Sequence, residues 1–273
     1  MACFRPLALE ALLIPNPTDK AQAVAALWQR RAQYAVQPQT PCLPPPAAVL
    51  PGRPAQPLLV APQHVPQRQL TSPQGLAALL HALAHIEFNA INLALDAIWR
   101  FANMPPPFYM DWLKVAAEEA HHFTLLREHL QSLPGQPDYG SLVAHDGLWQ
   151  MAERTAHDVT ARMALVPRTL EARGLDATPP IQAKLRQLGH PAALKAVEIL
   201  DVIVRDEVGH VAIGNHWYGW LCQQQQLDPL AHYRELARRY RAPRLRPPFN
   251  WVAREQAGFM PAELQALQSE ANG

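Results

Sequence analysis

From Gly75 to about residue 225, apolar residues recur at every third or fourth position, the period of helices that each bury one face. Four stretches carry the pattern: 75–102, 108–131, 146–173 and 191–225. "MPPP" (104–107) stops the first, "LPGQP" stops the second, and Gly174 suits a C-cap for the third. Pro167 predicts a kink inside the third stretch, and a short helix near 180–188 follows it. The joint between the first two helices is short, as antiparallel neighbours require. The stretch 132–145 is longer and suits a crossover. Ahead of these lies Thr18-Asp19 with "KAQAVAALWQRRAQYA", one N-terminal helix with an acidic first turn and Arg30 and Arg31 near its end. Residues 36–74 hold many of the prolines and are too apolar for a free linker, which predicts an extended strap lying across the helices. After the fourth stretch come a basic amphipathic piece (229–241), a "RPPFNW" turn and a last helix near 261–270. The fold class is all-α.

Two stretches share one device. In "EEAHHF" (118–123) and "DEVGHV" (206–211) a histidine follows the second acid by three residues. Positions i and i+3 share a helix face, so Glu119 with His122, and Glu207 with His210, can each aim a carboxylate and an imidazole at one point. The neighbours of Glu119 on its face are Trp112, Val115, Ala116, Phe123 and Leu126. Those of Glu207 are Leu200, Ile203, Val204, Val211, Gly214 and Tyr218. Glu87 sits alike among Leu80, Leu83, Ala84, Ala90, Ile91, Ala94 and Ile98. An ionised carboxylate on an apolar face costs several kcal/mol if left without a partner. No lysine or arginine shares these stripes, so bound metal is the simplest counter-charge.

Bundles of the ferritin-like type hold two metal ions with Glu-x-x-His from two helices and one Glu from each of the others. The chain therefore predicts a ferritin-like four-helix bundle (75–226) with an N-terminal helix and Pro-rich strap (1–74) and a C-terminal helical extension (227–273). The fourth carboxylate is Glu171 or Glu153. Spacing from Glu207 favours Glu171, although Arg168 beside it offers an ion-pair partner. The alternative frame, Glu118 with His121, shares its stripe with Asp111 and Lys114 and reads as solvent-facing. Glu118 and Asp206 are placed to accept the other ring N–H of a ligand histidine on a facing helix. His81 and His85 point away from Glu87 and suit capping or supporting roles.

Composition narrows the class further. The net charge of +1 across 273 residues gives no global attraction to nucleic acid or membrane. The three cysteines are scattered, so neither a disulfide framework nor a zinc knuckle is indicated, and a cytoplasmic protein is expected. The apolar run at the N-terminus is interrupted by Glu10 and does not read as a signal peptide. No run of apolar residues reaches the length of a membrane span. Arg234, Arg238, Arg239 and Arg241, with Tyr233 and Tyr240 interleaved, form a basic patch that can grip RNA phosphates, though the solvated face of a terminal helix would look the same.

The segments "HALAHIEFNAINLALDAIWRF", "DWLKVAAEEAHHF", "AHDGLWQMAERTAHD", "RMALVPRTLEARGLD" and "RDEVGHVAIGNHWY", with "GRPAQP" before them, resemble an uncharacterised bacterial family of ferritin-like proteins defined only as a domain of unknown function. That family is similar to the tRNA-hydroxylating di-iron monooxygenases. The resemblance covers about residues 70–260 and implies metal ligands at Glu87, Glu119, His122, Glu171, Glu207 and His210. It departs at His121, where an arginine is expected. Four glutamates and two imidazoles suit two iron ions, or manganese in second place. The expectation is an O2-dependent oxidoreductase, a monomer or homodimer served by an electron donor, acting on a small molecule or on tRNA. Ferroxidase activity or manganese-dependent peroxide removal are the alternatives.

Overall fold

The computed structural model describes residues 4–34 and 46–272, and among them helices carry the chain and no strand forms. Cys3, Cys42 and residues 36–45 of the proline strap lie outside the described residues. The chain forms two compact units: Met1–Trp149 with His190–Ile199, and Gln150–Gly189 with Leu200–Gly273.

The first unit is built on two long helices, α3 (Pro73–Arg100) and α4 (Pro106–Gln131), which pack along each other. Ser72 caps α3 by accepting from the Gly75 amide at 3.0 Å, and Pro73 occupies its first turn. Prolines open α4 as well, so the "MPPP" that ends one helix starts the next. The apolar face read from the sequence is the buried one: Leu80, Ala84, Ile91, Ala94 and Ile98 are all solvent-free. The sequence predicts no membrane-length segment, yet Gln74–Arg100 is long and apolar enough to span a bilayer by length and composition. Its most apolar window is 67% buried within the fold, the fate of a core helix.

Two shorter helices, α1 (Phe4–Leu13) and α2 (Pro17–Gln29), flank this pair, α1 on α3 and α2 on α4. Asn16 caps α2 through the amides of Thr18 and Asp19. The described part of the strap, from residue 46 on, holds one short 3-10 turn (Pro62–His64) and is tied down within this unit. Gly52 N–H donates to Leu12 O at 2.9 Å, and Val60 N–H to Ala144 O at 2.8 Å. Only glycine fits at position 52, because a Cβ there would lie 2.1 Å from Leu13 O. Lys20 fastens the assembly from below. Its fully buried ammonium donates to Leu12 O at 3.0 Å, Gly52 O at 2.7 Å and Asn92 Oδ1, joining α1, the strap and α3.

In the second unit the single helix predicted over 146–173 is divided. The chain forms α5 (Gly147–Arg154), α6 (Val159–Leu165), a π-helical segment (Val166–Glu171) and α7 (Ala172–Leu188). Asp158 restarts helix by capping α6 at the Ala161 amide, 2.9 Å away. Pro167 then opens the ladder into π geometry, where Thr169 Oγ1 donates to Ala164 O at 2.7 Å. Gly214, on α8 (Pro191–Gln224), lets that bulge approach, since a Cβ there would lie 2.6 Å from Pro167 Cβ. Gly174 is no C-cap; it lies inside α7, which runs on through Pro179 and Pro180 to Gly189 in left-handed geometry. Proline at 179 removes the amide that would bond Leu175 O, and Asn250 Nδ2 donates to that carbonyl instead, at 3.2 Å. Further on, α9 (Pro229–Arg239), α10 (Trp251–Gln256) and α11 (Pro261–Asn272) complete the unit. Ala172, Leu175, Val211, Ala253 and Ala257 form a small core with Phe259 packed against it.

Replacing Lys20 with Met leaves three oxygens without their donor and is expected to cost about 2–4 kcal/mol in urea denaturation. Burial pulls the lysine down from 10.5 to about 7, with the Arg53 charge adding to it. Its contribution to stability is therefore full above about 10.5 and is lost as the pH falls toward 7. The wild-type chain is expected to gain stability between these values and the K20M variant to show a flatter profile.

Candidate metal centre

Near the middle of α3 the carboxylate of Glu87 meets one turn of α4 that carries Glu119 and His122. The helical spacing does what the sequence implies: acid and imidazole three residues apart emerge on one face. His122 Nδ1 lies 3.2 Å from Glu87 Oε2 and 3.5 Å from Glu119 Oε2. All three side chains offer a ligand atom within 4.8 Å of the others. Glu119 and His122 are completely inaccessible and Glu87 is 4% exposed.

Charge in so small a dry volume must be compensated. Burial pushes Glu87 up to about 8, the negative Glu119 adds to the rise, and the hydrogen bond from His122 opposes it. His122 moves the other way from an ordinary buried histidine. Desolvation would lower it, but hydrogen bonds and charge from Glu119 and Glu87 hold it up at about 11. Without a cation the cluster keeps protons, as a neutral acid and an imidazolium. Oxygen and imidazole donors without any thiolate suit a hard divalent ion, which would displace those protons.

The second unit presents its own acid–imidazole pair on α8. His210 Nδ1 lies 3.4 Å from Glu207 Oε1, His210 is fully buried and Glu207 nearly so. Glu207 Oε2 is out of contact with water and has no hydrogen-bond partner among the described residues, which a bound cation would remedy. Glu171 ends the π-helical segment, half-buried, with its Oε2 shielded from water. Arg168 is not its ion-pair partner in the way the sequence allows; that guanidinium goes to Glu263 and to Asn215.

The alternative carboxylate, Glu153, is exposed on α5. Glu118 lies 3.6 Å from Lys114 and Asp206 lies 2.8 Å from Arg205, both at helix surfaces. Arg234, Arg238, Arg239 and Arg241 are exposed on and just beyond α9, with Arg234 3.5 Å from Glu270. His81 and His85 turn to a loop rather than to a ligand. His81 Nε2 accepts the Gly140 amide at 3.0 Å, and His85 Nδ1 lies 2.9 Å from the Tyr139 hydroxyl. Tyr139 packs on Phe88 and Phe123, the chain neighbours of Glu87 and His122, at 5.5 and 5.2 Å between ring centres. Sequence reasoning misses Tyr139 because it lies in the 132–145 connection, where no periodicity marks it.

Residues 13–265 match the family described as "Protein of unknown function (DUF455)". The chain belongs to this family. A protein of Haemophilus influenzae described as "Uncharacterized protein" is 53% identical over 218 residues, which is 77% of this chain and 74% of that relative. No solved structure matches the chain.

With metal stripped by a chelator, the proton-holding cluster sets the pH dependence. Glu87 (about 8, ordinarily 4.5) stabilises the fold fully below about 4.5, and that stability is lost as the pH climbs through 8. His122 (about 11, ordinarily 6.5) extends the loss upward. The urea midpoint of chelated protein is expected to fall from pH 5 to 9, and Glu87→Gln to flatten the lower part of that fall. A midpoint that rises over this range contradicts the assignment.

Proposed function

We propose that this protein is a dimetal carboxylate oxidoreductase, with a ferritin-like four-helix core supplied by α3, α4, the α6–α7 arm and α8. The observation that carries the reading is the buried meeting of Glu87, Glu119 and His122. In this reading Glu207 and His210 of α8 hold the second ion. Glu171 serves as the fourth carboxylate. The symmetry of the two acid–imidazole pairs supports two ions rather than one, as in bundles that use Glu-x-x-His twice. The donor set suits iron first and manganese second.

A bound pair of redox-active ions would supply electron transfer to dioxygen. The chain supplies the rest. Glu87 and Glu119 hold charge on one side, His122 gives a neutral nitrogen once its proton is displaced, and the Leu80, Ile91 and Phe123 surfaces exclude water. The substrate is an organic molecule hydroxylated or oxidised at the centre, and a cytosolic electron donor would return the ions to their reduced state. The exposed arginines of α9 support tRNA as a second reading of the substrate.

Anaerobic loading with Fe(II) is expected to give two metal ions per chain, and admission of air a new near-ultraviolet absorbance. Glu119→Ala should lower bound metal to less than half of wild type. Fewer than one ion per chain, with no absorbance change, overturns the proposal. Co-purification of RNA at about 0.15 M salt, abolished by R238E with R239E, would decide for the tRNA reading.

A further inference from the structure

The second unit holds a cavity of about 300 Å3 that the metal reading does not use. Its deep wall carries two guanidiniums withdrawn from solvent, Arg168 at 4% exposure and Arg254 at 1%. Arg254 sends Nε and Nη2 to Asp176 at 3.0 and 2.6 Å. Arg168 sends Nε to Asn215 at 2.8 Å and Nη2 to Glu263. Neither spends its Nη1 amino group on a protein acceptor among the described residues, and both line the cavity. Between them stands Phe259, whose ring centre lies 5.1 Å from each guanidinium carbon, with the Tyr218 and Tyr233 rings at 4.8 and 4.9 Å from Arg168.

Such a wall costs more than a purely structural core requires. Buried guanidiniums are expensive even when paired, and hydrophobic replacements of similar volume often serve stability as well. What the aromatic clamp achieves is rigidity: two planar cations fixed with an amino group each to spare. The rest of the lining divides in two. Leu264 and Leu267 of α11 give an apolar wall, while Arg234 and Arg244 stand exposed at the opening. Arg234 lies 3.5 Å from the Glu270 carboxylate, and Arg244 bonds the Glu270 backbone carbonyl rather than its charge. Of four lining arginines, two face the lining acids Glu263 and Glu270 and one pairs with Asp176, so Arg244 is left without an acidic partner among the described residues.

We infer that this cavity binds a small amphipathic anion: one carboxylate or phosphate head on an apolar body. The head takes the free guanidinium donors, and the body lies against Leu264, Leu267 and Phe259. The size is at the lower end for small-molecule sites, so a short body is expected. The inference stands apart from the metal centre and does not need it.

Isothermal titration of the full chain tests it with hexanoate and hexyl phosphate, each against hexanol and inorganic phosphate. One-to-one binding by at least one of the two amphiphiles, at least tenfold tighter than by hexanol or inorganic phosphate, is expected. The preferred head then tells carboxylate from phosphate. R244E should weaken that binding at least tenfold, and A266W, which fills the cavity from α11, should abolish it, with unchanged far-ultraviolet circular dichroism in both. No binding of either amphiphile at millimolar concentration overturns the inference. So does hexanol or inorganic phosphate binding as tightly, or binding that survives both substitutions.

Discussion

Two glutamates and a histidine closed off from water by apolar helix faces set the terms for the rest of the first unit. Like charges a few ångströms apart in a dry interior repel strongly. Protons can relieve the strain by keeping Glu87 neutral and His122 charged, and a divalent cation relieves it better by satisfying every donor at once. The geometry follows from that demand. The two longest helices of the unit must lie side by side, in register at Glu87 and Glu119, and must be sealed along their length.

The seal is made by parts that look like ornaments in the sequence. The proline strap has few amides to satisfy, and those of its described part that bond, such as Val60 N–H to Ala144 O, hold it in place. Its grip comes from Gly52 pressed on the end of α1 and from Lys20, whose three oxygen acceptors come from three separate segments. In the second unit prolines act differently. Pro167 turns a helix into a π-helical bulge and so sets where Glu171 falls, while the carbonyl freed by Pro179 is answered by Asn250. In both units backbone irregularity is answered by a specific side chain.

The stripes at 75–102, 108–131 and 191–225 were legible as helices to within a few residues because each keeps one period from end to end and stops at proline or near glycine. Glu87, Glu119 and His122 were legible as one cluster because the residues around them in the helical wheel are apolar. The third stretch misled because its period continues across Thr155–Asp158, where a cap restarts the helix, and because Gly174 resembles a terminus that the packing does not use. Pro179 and Pro180 lie inside α7, and Asn250, distant in sequence, bonds the Leu175 carbonyl that Pro179 leaves free. The helix α1 went unread since a ten-residue apolar segment has no pattern to separate it from a loop packed in the core. Tyr139 and the two deep arginines depend on contacts across long sequence separations, which periodicity does not carry.

Crystals grown with Fe(II) and measured at the iron absorption edge give the most direct test of the central claim. The account predicts two anomalous peaks, with Glu87, Glu119 and His122 among the ligands of one and Glu207 and His210 among those of the other. Well-ordered carboxylates around Glu119 with no anomalous density beside them would contradict it.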